Sequence, residues 1–386
     1  MPIDLGSGLD GGALMDGVPL IDHHCHGVVS DDLDRESFEA LATESNWSAP
    51  KGTTTFDSQL GFAIRRWCAP VLDLEPHASP EAYLGQRSRL GAGNVNRLLI
   101  SASRISTFLV DAGIREETLT SPEQTAGLGG GKSREIVRLE RLAEQVAEQG
   151  ATPSSFIADF EFALETAAKD AAGLKSIAAY RYGLDFEPAA PSEREVREAV
   201  DRWLGRQKPE AGGMRLDEPV LLRHILWAGL KLRKPIQFHV GYGDADVDLL
   251  RCNPLQLTGW LRATQESGVP MMLLHCYPYQ REAGYLAQIF PHVYVDVGLA
   301  VNHTGSRSEA VIAESLELIP FHKALFSTDA LGLAELYYLG AGLFRRGLAR
   351  SIAQWINDGD WSRRDAERVA RMIGYENAAR VYGIEP

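Results

Sequence analysis

Residues 19–27 read Pro-Leu-Ile-Asp-His-His-Cys-His-Gly, an apolar start followed by a cluster of metal-ligand residue types. The apolar start predicts a β-strand, in which alternate residues share a face, so Asp22, His24 and His26 are expected on one side. His23 and Cys25 are expected on the other side. Burying two imidazoles and a carboxylate side by side is costly unless they bind something. The stretch therefore predicts a metal site at the end of the first strand.

The rest of the chain repeats the pattern of an apolar strand followed by a helix. Seven further segments read as buried strands: 107–113, 135–140, 173–183, 235–241, 269–278, 293–298 and 324–330. About eight strand–helix alternations predict an α/β fold, a (β/α)8 TIM barrel that occupies residues 1–386 as a single domain. Residues 28–103, mostly helical in pattern, separate the first strand from the second. Because insertions at that end of a barrel usually cover the active site, we expect a helical lid there.

Composition narrows the class of protein. The chain has 386 residues and a formal net charge of −13, which argues against nucleic acid as a partner. No apolar run is long enough to span a bilayer and no signal peptide is evident, so we expect a cytoplasmic protein without a membrane partner. The four cysteines form no Cys-x-x-Cys pair, which predicts free buried thiols. The oligomeric state stays open, a homo-oligomer included.

Three other functional patterns are disfavoured: a phosphate-binding loop, a serine nucleophile and a cysteine nucleophile. Residues 126–133, Ala-Gly-Leu-Gly-Gly-Gly-Lys-Ser, are similar to a phosphate-binding loop, but Ala126 stands where the motif needs glycine and no apolar strand precedes it. We expect a flexible loop there instead. The chain has no Gly-x-Ser-x-Gly elbow of a serine hydrolase. The predicted strand phase turns Cys25 and Cys276 away from the barrel mouth, where a thiol nucleophile would have to lie.

Ligand-type side chains recur near the ends of the predicted strands. They are His24 and His26 on the first strand, Lys175 on the fourth, His239 on the fifth, His275 on the sixth and Asp329 on the eighth. The carboxyl ends of barrel strands meet at one mouth, so this recurrence predicts a common site. Core packing or helix capping explains any one of these residues alone, but not the series.

Two further residues are candidates for binding substrate. Arg181, in phase with Lys175 on the fourth predicted strand and nearer the mouth, could bind an anionic group such as a carboxylate. An ordinary surface ion pair is the alternative for Arg181. His303 follows the seventh predicted strand and lies at the right end of the barrel to contact substrate.

The sequence resembles the amidohydrolase superfamily, in its amidohydrolase-related branch. The motifs that carry the resemblance are Asp22-x-His24-x-His26, His239 in Gln-Phe-His-Val, His275 in Leu-Leu-His-Cys and Asp329 in Phe-Ser-Thr-Asp-Ala. Within the branch, the nearest likeness is to the amidohydrolase domain that fungal and plant proteins carry fused to a glutamine-synthetase-like domain. That likeness covers almost the whole chain.

The resemblance implies a divalent metal held by His24, His26 and Asp329, with His239 as a further ligand. Zinc suits this imidazole-rich set, with manganese and iron as alternatives. Asp329 is the expected catalytic proton acceptor, and His275 is expected to polarise the scissile carbonyl or to complete a second metal site.

The number of metal ions depends on Lys175, and one or two are expected. In relatives that hold two ions, a lysine of the fourth strand is carboxylated and bridges them. Lys175 lies nearer the start of its predicted strand than that role prefers, so it is also a candidate for binding substrate.

The leading hypothesis is a metal-dependent amidohydrolase that cleaves an amide or related C–N bond of a small molecule through a metal-activated water. Arg181 predicts a carboxylate on that molecule. A metal-dependent, non-oxidative decarboxylase on the same fold is the alternative, and the ligands alone do not separate the two. A non-catalytic metal-binding barrel is disfavoured because Asp329 and His275 are both present.

Overall fold

One parallel β-sheet forms the centre of the computed structural model, which describes residue 3 and residues 11–114, 118–206 and 213–385. The seven strands pair in sequence order, each parallel to the next. They are β1 (Leu20–Cys25), β2 (Ile105–Asp111), β3 (Lys132–Arg138), β4 (Gly173–Ser176), β5 (Ile236–Val240), β6 (Met271–His275) and β7 (Val293–Val295). Sequential parallel order with crossover helices is the arrangement of a barrel.

The eighth predicted strand closes the sheet as an irregular segment, residues 324–330. On one side, the amide of Leu325 donates to the carbonyl of Val295 in β7 at 2.9 Å. On the other side, the amide of Asp329 donates to the carbonyl of His24 in β1 at 3.0 Å. The segment therefore joins β7 to β1, although it lacks regular strand pairing among the described residues.

Helices surround the sheet. The helices up to β2 are α1 (Gly11–Asp16), α2 (Arg35–Leu41), α3 (Gln59–Ala63), α4 (Pro80–Leu90) and α5 (Ala92–Ser103). From β2 to β5 they are α6 (Pro122–Gly129), α7 (Leu139–Glu148), α8 (Phe156–Ala168), α9 (Ala178–Arg181), α10 (Glu193–Arg206) and α11 (Pro219–Lys231). After β5 they are α12 (Thr258–Thr264), α13 (Gln280–Ile289), α14 (Gly298–Thr304), α15 (Ser308–Ser315), α16 (Ala334–Asn357), α17 (Arg363–Arg371) and α18 (Asn377–Tyr382). Four of them, α2 to α5, lie between β1 and β2.

The glycine-rich residues 126–133 are ordered, contrary to the flexible loop predicted. Ser121 caps α6 by accepting a hydrogen bond from the amide of Gln124, whose side chain bonds back to the Ser121 amide. Pro122 occupies the first helical turn, where its missing amide hydrogen costs nothing. The helix ends at Gly129, the following Gly130 caps it with a left-handed φ of 71°, and β3 begins two residues later. A strong helix start thus outweighs the glycines that follow it.

Two apolar clusters pack against the two faces of the sheet, one on each face. Alternate strand residues form a small inner cluster that α18 joins through Ala378 and Tyr382: Ile21, Leu109, Ile136, Met272 and Leu274. Their neighbours in sequence, such as Leu20 and Leu273, belong to a larger cluster between strands and helices. Strands buried on both faces are typical of a parallel barrel. The inner cluster therefore fills the barrel interior.

The four cysteines are buried free thiols, as predicted. In the part of the chain that the structure describes, no helix combines the length and the apolar character needed to cross a membrane.

Candidate metal centre

Three donor groups converge at the carboxyl ends of the strands. Asp329 Oδ1 lies 3.1 Å from His24 Nε2 and 3.5 Å from His26 Nε2. The ligand atoms of these three residues all lie within 4.8 Å of one another. The His24 side chain is fully buried, and that of Asp329 is 13% exposed. A group of two imidazoles and a carboxylate at this spacing can hold a divalent ion.

Hydrogen bonds on the far side of each imidazole orient these two histidines. His24 Nδ1 lies 2.8 Å from Gln237 Oε1, and His26 Nδ1 lies 2.8 Å from the backbone carbonyl of Asp111. The Gln237 amide nitrogen donates to the carbonyl of His23 at 2.7 Å, which leaves its oxygen facing His24. Because both partners are acceptors, each Nδ1 carries the hydrogen and each Nε2 presents a lone pair to the centre.

His239 and His275 extend the same centre. His239 Nε2 and His275 Nδ1 are buried and have no hydrogen-bond partner among the described residues. The two rings lie 4.8 Å apart, and His275 Nδ1 is 3.6 Å from Asp329 Oδ2. Burial lowers the pKa of His275 to about 4 and that of His239 well below its ordinary value, so both rings are neutral. Buried polar atoms are normally paired, and these unpaired nitrogens fit a bound metal or substrate.

Asp329 is an anion in these surroundings. Burial alone would raise the pKa of its carboxyl group, but the neighbouring imidazoles, that of His275 foremost, hold the pKa well below its usual value. The backbone of Asp329 has a φ of 51°, and that of His275 a φ of 69°. Left-handed conformations of residues other than glycine cost about 1–3 kcal/mol and collect at functional sites.

Lys175 lies inside the same centre. It is the third residue of the short strand β4, and its Nζ lies 3.3 Å from His24 Nε2. Burial lowers the pKa of the Lys175 ammonium to about 8, while the carboxylates of Asp111 and Asp329 oppose the shift. The expectation that Lys175 lies near the start of its strand is wrong, because β4 ends directly after it, at Ser176.

Arg181 is not on a strand with Lys175, contrary to the prediction. Glu140 accepts hydrogen bonds from Ser176 Oγ at 2.7 Å and from the next backbone amide at 3.0 Å, which holds the chain in a turn after β4. Arg181 then ends the short helix α9. Its guanidinium is 3.1 Å from the carboxylate of Glu144. Arg181 still borders the cavity beside the centre, but its charge has a partner.

His303 lies on α14 and reaches the site through another residue. Its Nε2 is 3.5 Å from Glu44 Oε1, and its ring packs edge-on against Tyr242 at 5.5 Å. Glu44 borders the cavity directly and comes from the segment between β1 and β2. No sequence pattern points to Glu44, because this residue belongs to no periodic segment and its neighbours at the site are distant in the chain.

The predicted phase of β1 is wrong at His23. The pairing register of β1 with β2 shifts between Asp22 and Cys25, which interrupts the alternation of faces. His23 consequently lies inside the barrel, with Nε2 3.0 Å from Asp296 Oδ2 and Nδ1 3.0 Å from the hydroxyl of Tyr382. Asp22, which was predicted to share a face with His24 and His26, instead accepts a hydrogen bond from the amide of Thr328 in the irregular segment 324–330, at 2.9 Å.

Asp296 and Gln237 are structural partners of the centre that the sequence analysis missed. Asp296 Oδ1 accepts hydrogen bonds from the His275 amide at 3.1 Å and from Ser327 Oγ at 2.7 Å. Burial opposes ionisation of Asp296, but the hydrogen bond and charge of His23 depress its pKa. The available signal was a polar side chain within an otherwise apolar strand.

A cavity of about 430 Å³ adjoins the donor groups. Its walls come from several parts of the chain, among them the strand ends, the turn after β4, the segment between β1 and β2, the loop after β5, and helices α14 and α16. Among the lining residues are His24, His26, Lys175, His239, His275, Asp329, Glu44, Trp47, Tyr180, Arg181, Arg215 and Asp244. This volume suits a small molecule.

The barrel and its strand-end histidines define a class of metal-dependent enzymes. Residues 134–384, more than half of the chain, match the amidohydrolase family. The chain belongs to that family and is an enzyme of the metal-dependent amidohydrolase type. The resemblance stated from the sequence is thereby confirmed.

Individual relatives agree with this assignment. Protein fluG of Emericella nidulans is 27% identical over 405 aligned residues, which cover 94% of this chain and 45% of the relative. The chain thus spans about half the length of the curated relative that it matches. A protein of Lactobacillus casei described as a metal-dependent hydrolase is 30% identical, with a TM-score of 0.81 and coverage of 97% of this chain and 98% of that one.

A more distant match shows the fold alone. Uronate isomerase of Thermotoga maritima is 12% identical, with a TM-score of 0.62 and coverage of 96% of both chains. The predicted α/β barrel is thereby supported in its coarse form, seven parallel strands surrounded by helices.

Proposed function

We propose that the chain hydrolyses an amide or related C–N bond of a small molecule with the help of a divalent metal ion. One observation carries the proposal. The Nε2 atoms of His24 and His26 converge with Asp329 Oδ1 at a cavity that also receives the unpaired nitrogens of His239 and His275. Neutral imidazoles and a carboxylate around a water-accessible cavity are the ligands of hydrolytic metal sites.

His24, His26 and Asp329 would hold the ion, with His239 as a further ligand. The imidazole-rich donor set favours zinc, with manganese and iron as alternatives. When bound, such an ion acts as a Lewis acid that makes water acidic near neutral pH. The hydrogen bonds of Gln237 and of the Asp111 carbonyl keep the two imidazoles of β1 oriented toward it.

The chain supplies the proton transfer and the orientation of substrate. Asp329 Oδ1 faces the two histidines of β1, while Oδ2 faces His275, so the carboxylate reaches both sides of the reacting centre. We assign Asp329 as the base that takes the proton from the attacking water and gives it to the leaving nitrogen. His275 Nδ1, without a partner in the described part of the chain, is placed to donate to the substrate carbonyl oxygen.

The segment 28–103 would form the cover of the site. Glu44 and Trp47 from this segment border the cavity, and Trp47 is 75% exposed at its rim. A buried ion pair fastens the segment to the barrel, because Arg87 Nε of α4 lies 2.6 Å from Glu335 Oε1 at the start of α16. These contacts support the predicted role of a lid.

The first test is the metal content of protein purified without added metal or chelator, measured by elemental mass spectrometry. One equivalent would leave Lys175 to the substrate. Two equivalents would indicate that Lys175, whose Nζ lies 3.3 Å from His24 Nε2, is carboxylated and would serve as a ligand shared by both ions. Absence of metal, with none bound on reconstitution, would contradict the proposal.

The second test identifies the products. Metal-loaded protein is incubated with a panel of small amides, and the products are analysed by mass spectrometry. We expect acid and amine to be released, a chelator to stop the release, and added metal to restore it. Release of carbon dioxide instead would establish the alternative, a decarboxylase.

A further inference from the structure

The arginines around the cavity are already neutralised. Each of the three has its own carboxylate: Arg138 Nη2 lies 2.7 Å from Asp111, Arg181 lies 3.1 Å from Glu144, and Arg215 lies 3.1 Å from Asp246. Lys175 lies in the metal centre, with its Nζ 3.3 Å from His24 Nε2, and the charges of the Asp111 and Asp329 carboxylates act on it. The cavity therefore presents no unpaired arginine, among the described residues, to an anionic group of a substrate.

Two carboxylates also border this cavity, and in the described part of the chain they lack a paired cation. Within the described residues, neither Glu44 nor Asp244 has an arginine or lysine at ion-pair distance. The Glu44 carboxylate lies 3.5 Å from the imidazole of His303, and that of Asp244 accepts a hydrogen bond from the amide of Asp246 at 2.8 Å. Burial lowers the pKa of His303 to about 4, so His303 is neutral and does not supply the missing positive charge.

The surroundings of these carboxylates disfavour uncompensated negative charge. Burial raises the pKa of Glu44 to about 8, and the charges of Asp329 and Asp244 add to this effect. Burial also raises the pKa of Asp244, although the amide of Asp246 and the charge of Arg215 oppose the shift. Both carboxylates are partly buried, and a partly buried anion without a partner carries a cost that a bound cation would remove.

An unpaired histidine nitrogen on the same wall of the cavity also indicates that a ligand binds there. His239 Nε2 is buried, unpartnered within the described chain and faces this cavity. Gly243, beside Asp244, allows the loop to approach it, since a Cβ there would lie 3.0 Å from His239 Nε2 and would collide with the hydroxyl of Tyr180. The Tyr180 ring in turn packs on His239 at 4.3 Å. The backbone of the loop that carries Asp244 thus lies close to both the Tyr180 hydroxyl and the unsatisfied nitrogen of His239.

We propose that the substrate carries a protonated amine, which Glu44 and Asp244 bind at the wall of the cavity while its amide lies at the metal centre. This inference rests on the proposed function, because it names the substrate class of that site. It replaces the carboxylate-bearing substrate expected from Arg181, whose charge is used by Glu144. An ammonium group would donate charge-assisted hydrogen bonds to both carboxylates.

Three matched series of compounds test the charge preference. They are ω-amino amides of increasing chain length, alkyl amides of the same length, and monoamides of dicarboxylic acids of the same length. Binding to the metal-loaded protein is measured by calorimetry. We expect the best ω-amino amide to bind about tenfold more tightly than its alkyl counterpart. Equal binding, no binding of any compound, or a preference for the carboxylate series would overturn the proposal.

Variants connect the preference to the two carboxylates. Glu44→Gln with Asp244→Asn should abolish the preference for the amine and leave the affinity for alkyl amides unchanged. Glu36→Gln, an exposed position on α2, is the control and should retain the preference. Thermal unfolding checks that each variant folds. Loss of metal from the double variant would show that the carboxylates hold an ion, and it would overturn the proposal.

The outcome is separable from that of the proposed function. Tight binding of amino amides without cleavage of any amide would support the amine site and contradict hydrolysis. Cleavage that favours carboxylate-bearing amides would support hydrolysis and contradict the amine site.

Discussion

The inner part of the site, which is the metal centre, and the outer part, which is the cavity wall with Glu44 and Asp244, differ in how many of their polar groups have a partner. In the inner part, His24 and His26 each have a partner behind the ring, and Asp329 faces both of them. In the outer part, Glu44 and Asp244 border the cavity without a cation among the described residues. The inner part is thus organised before anything binds, whereas the outer part lacks a charge that a ligand can supply.

Asp329→Asn should have the largest effect and tests the inner part. The amide keeps the shape of the side chain but removes both the negative charge and the proton acceptor. We expect kcat/KM for a cleaved amide to fall by about 10³-fold. Steady-state kinetics and metal analysis would measure the loss. Asp170→Asn, at an exposed position, is the matched control, and near-normal activity of the Asp329 variant would remove Asp329 from the mechanism.

Arg87→Met should have the next largest effect and tests how the outer part is attached. The substitution leaves Glu335 buried without its cation, and the expected loss in the free energy of unfolding is about 3 kcal/mol. Denaturant titration measures it. Arg89→Met, exposed on the same helix α4, should cost little. If Arg87→Met unfolds no more readily than Arg89→Met, the ion pair does not fasten the segment between β1 and β2.

Gln237→Leu removes the acceptor behind His24 and tests whether the inner part is organised in advance. Without that acceptor the His24 ring loses its fixed tautomer and orientation. We expect metal affinity to fall by about 10–100-fold, as measured by competition with a chelator. Gln265→Leu, at an exposed position, should leave the affinity unchanged. An unchanged affinity for Gln237→Leu would mean that the backbone alone orients His24.

The same contrast explains which residues could be predicted from the sequence. His24, His239 and His275 stand at or beside the ends of apolar strands, and a parallel barrel brings such ends together whatever else the chain does. Asp329 was predicted for the same reason, although its segment is irregular and its backbone is left-handed. The inner part therefore follows from local pattern and fold class.

The outer part depends on contacts between distant residues, which no local pattern contains. Arg181 was misplaced because Glu140, from another helix, ends β4 early. His23 was misplaced because a register shift in the pairing of β1 with β2 breaks the alternation. Glu44 stands in a segment without strand or helix periodicity, and it borders the cavity beside His303, a residue far from it in the chain.

Tyr382→Phe should have the smallest effect and separates the support of the inner part from its chemistry. The Tyr382 hydroxyl contacts His23 Nδ1 at 3.0 Å and accepts from Gln237 Nε2 at 2.8 Å, so it lies one residue further from the centre than Gln237 does. Phenylalanine keeps the packing of α18 in the barrel interior and removes only these hydrogen bonds. We expect the free energy of unfolding to fall by about 1 kcal/mol, measured by denaturant titration, with a smaller change in metal affinity than for Gln237→Leu.

Because Gln237 still donates to the carbonyl of His23, it can hold its orientation without the tyrosine. A loss of metal affinity as large as that of Gln237→Leu would instead show that the inner part is organised by the whole chain of hydrogen bonds down to α18.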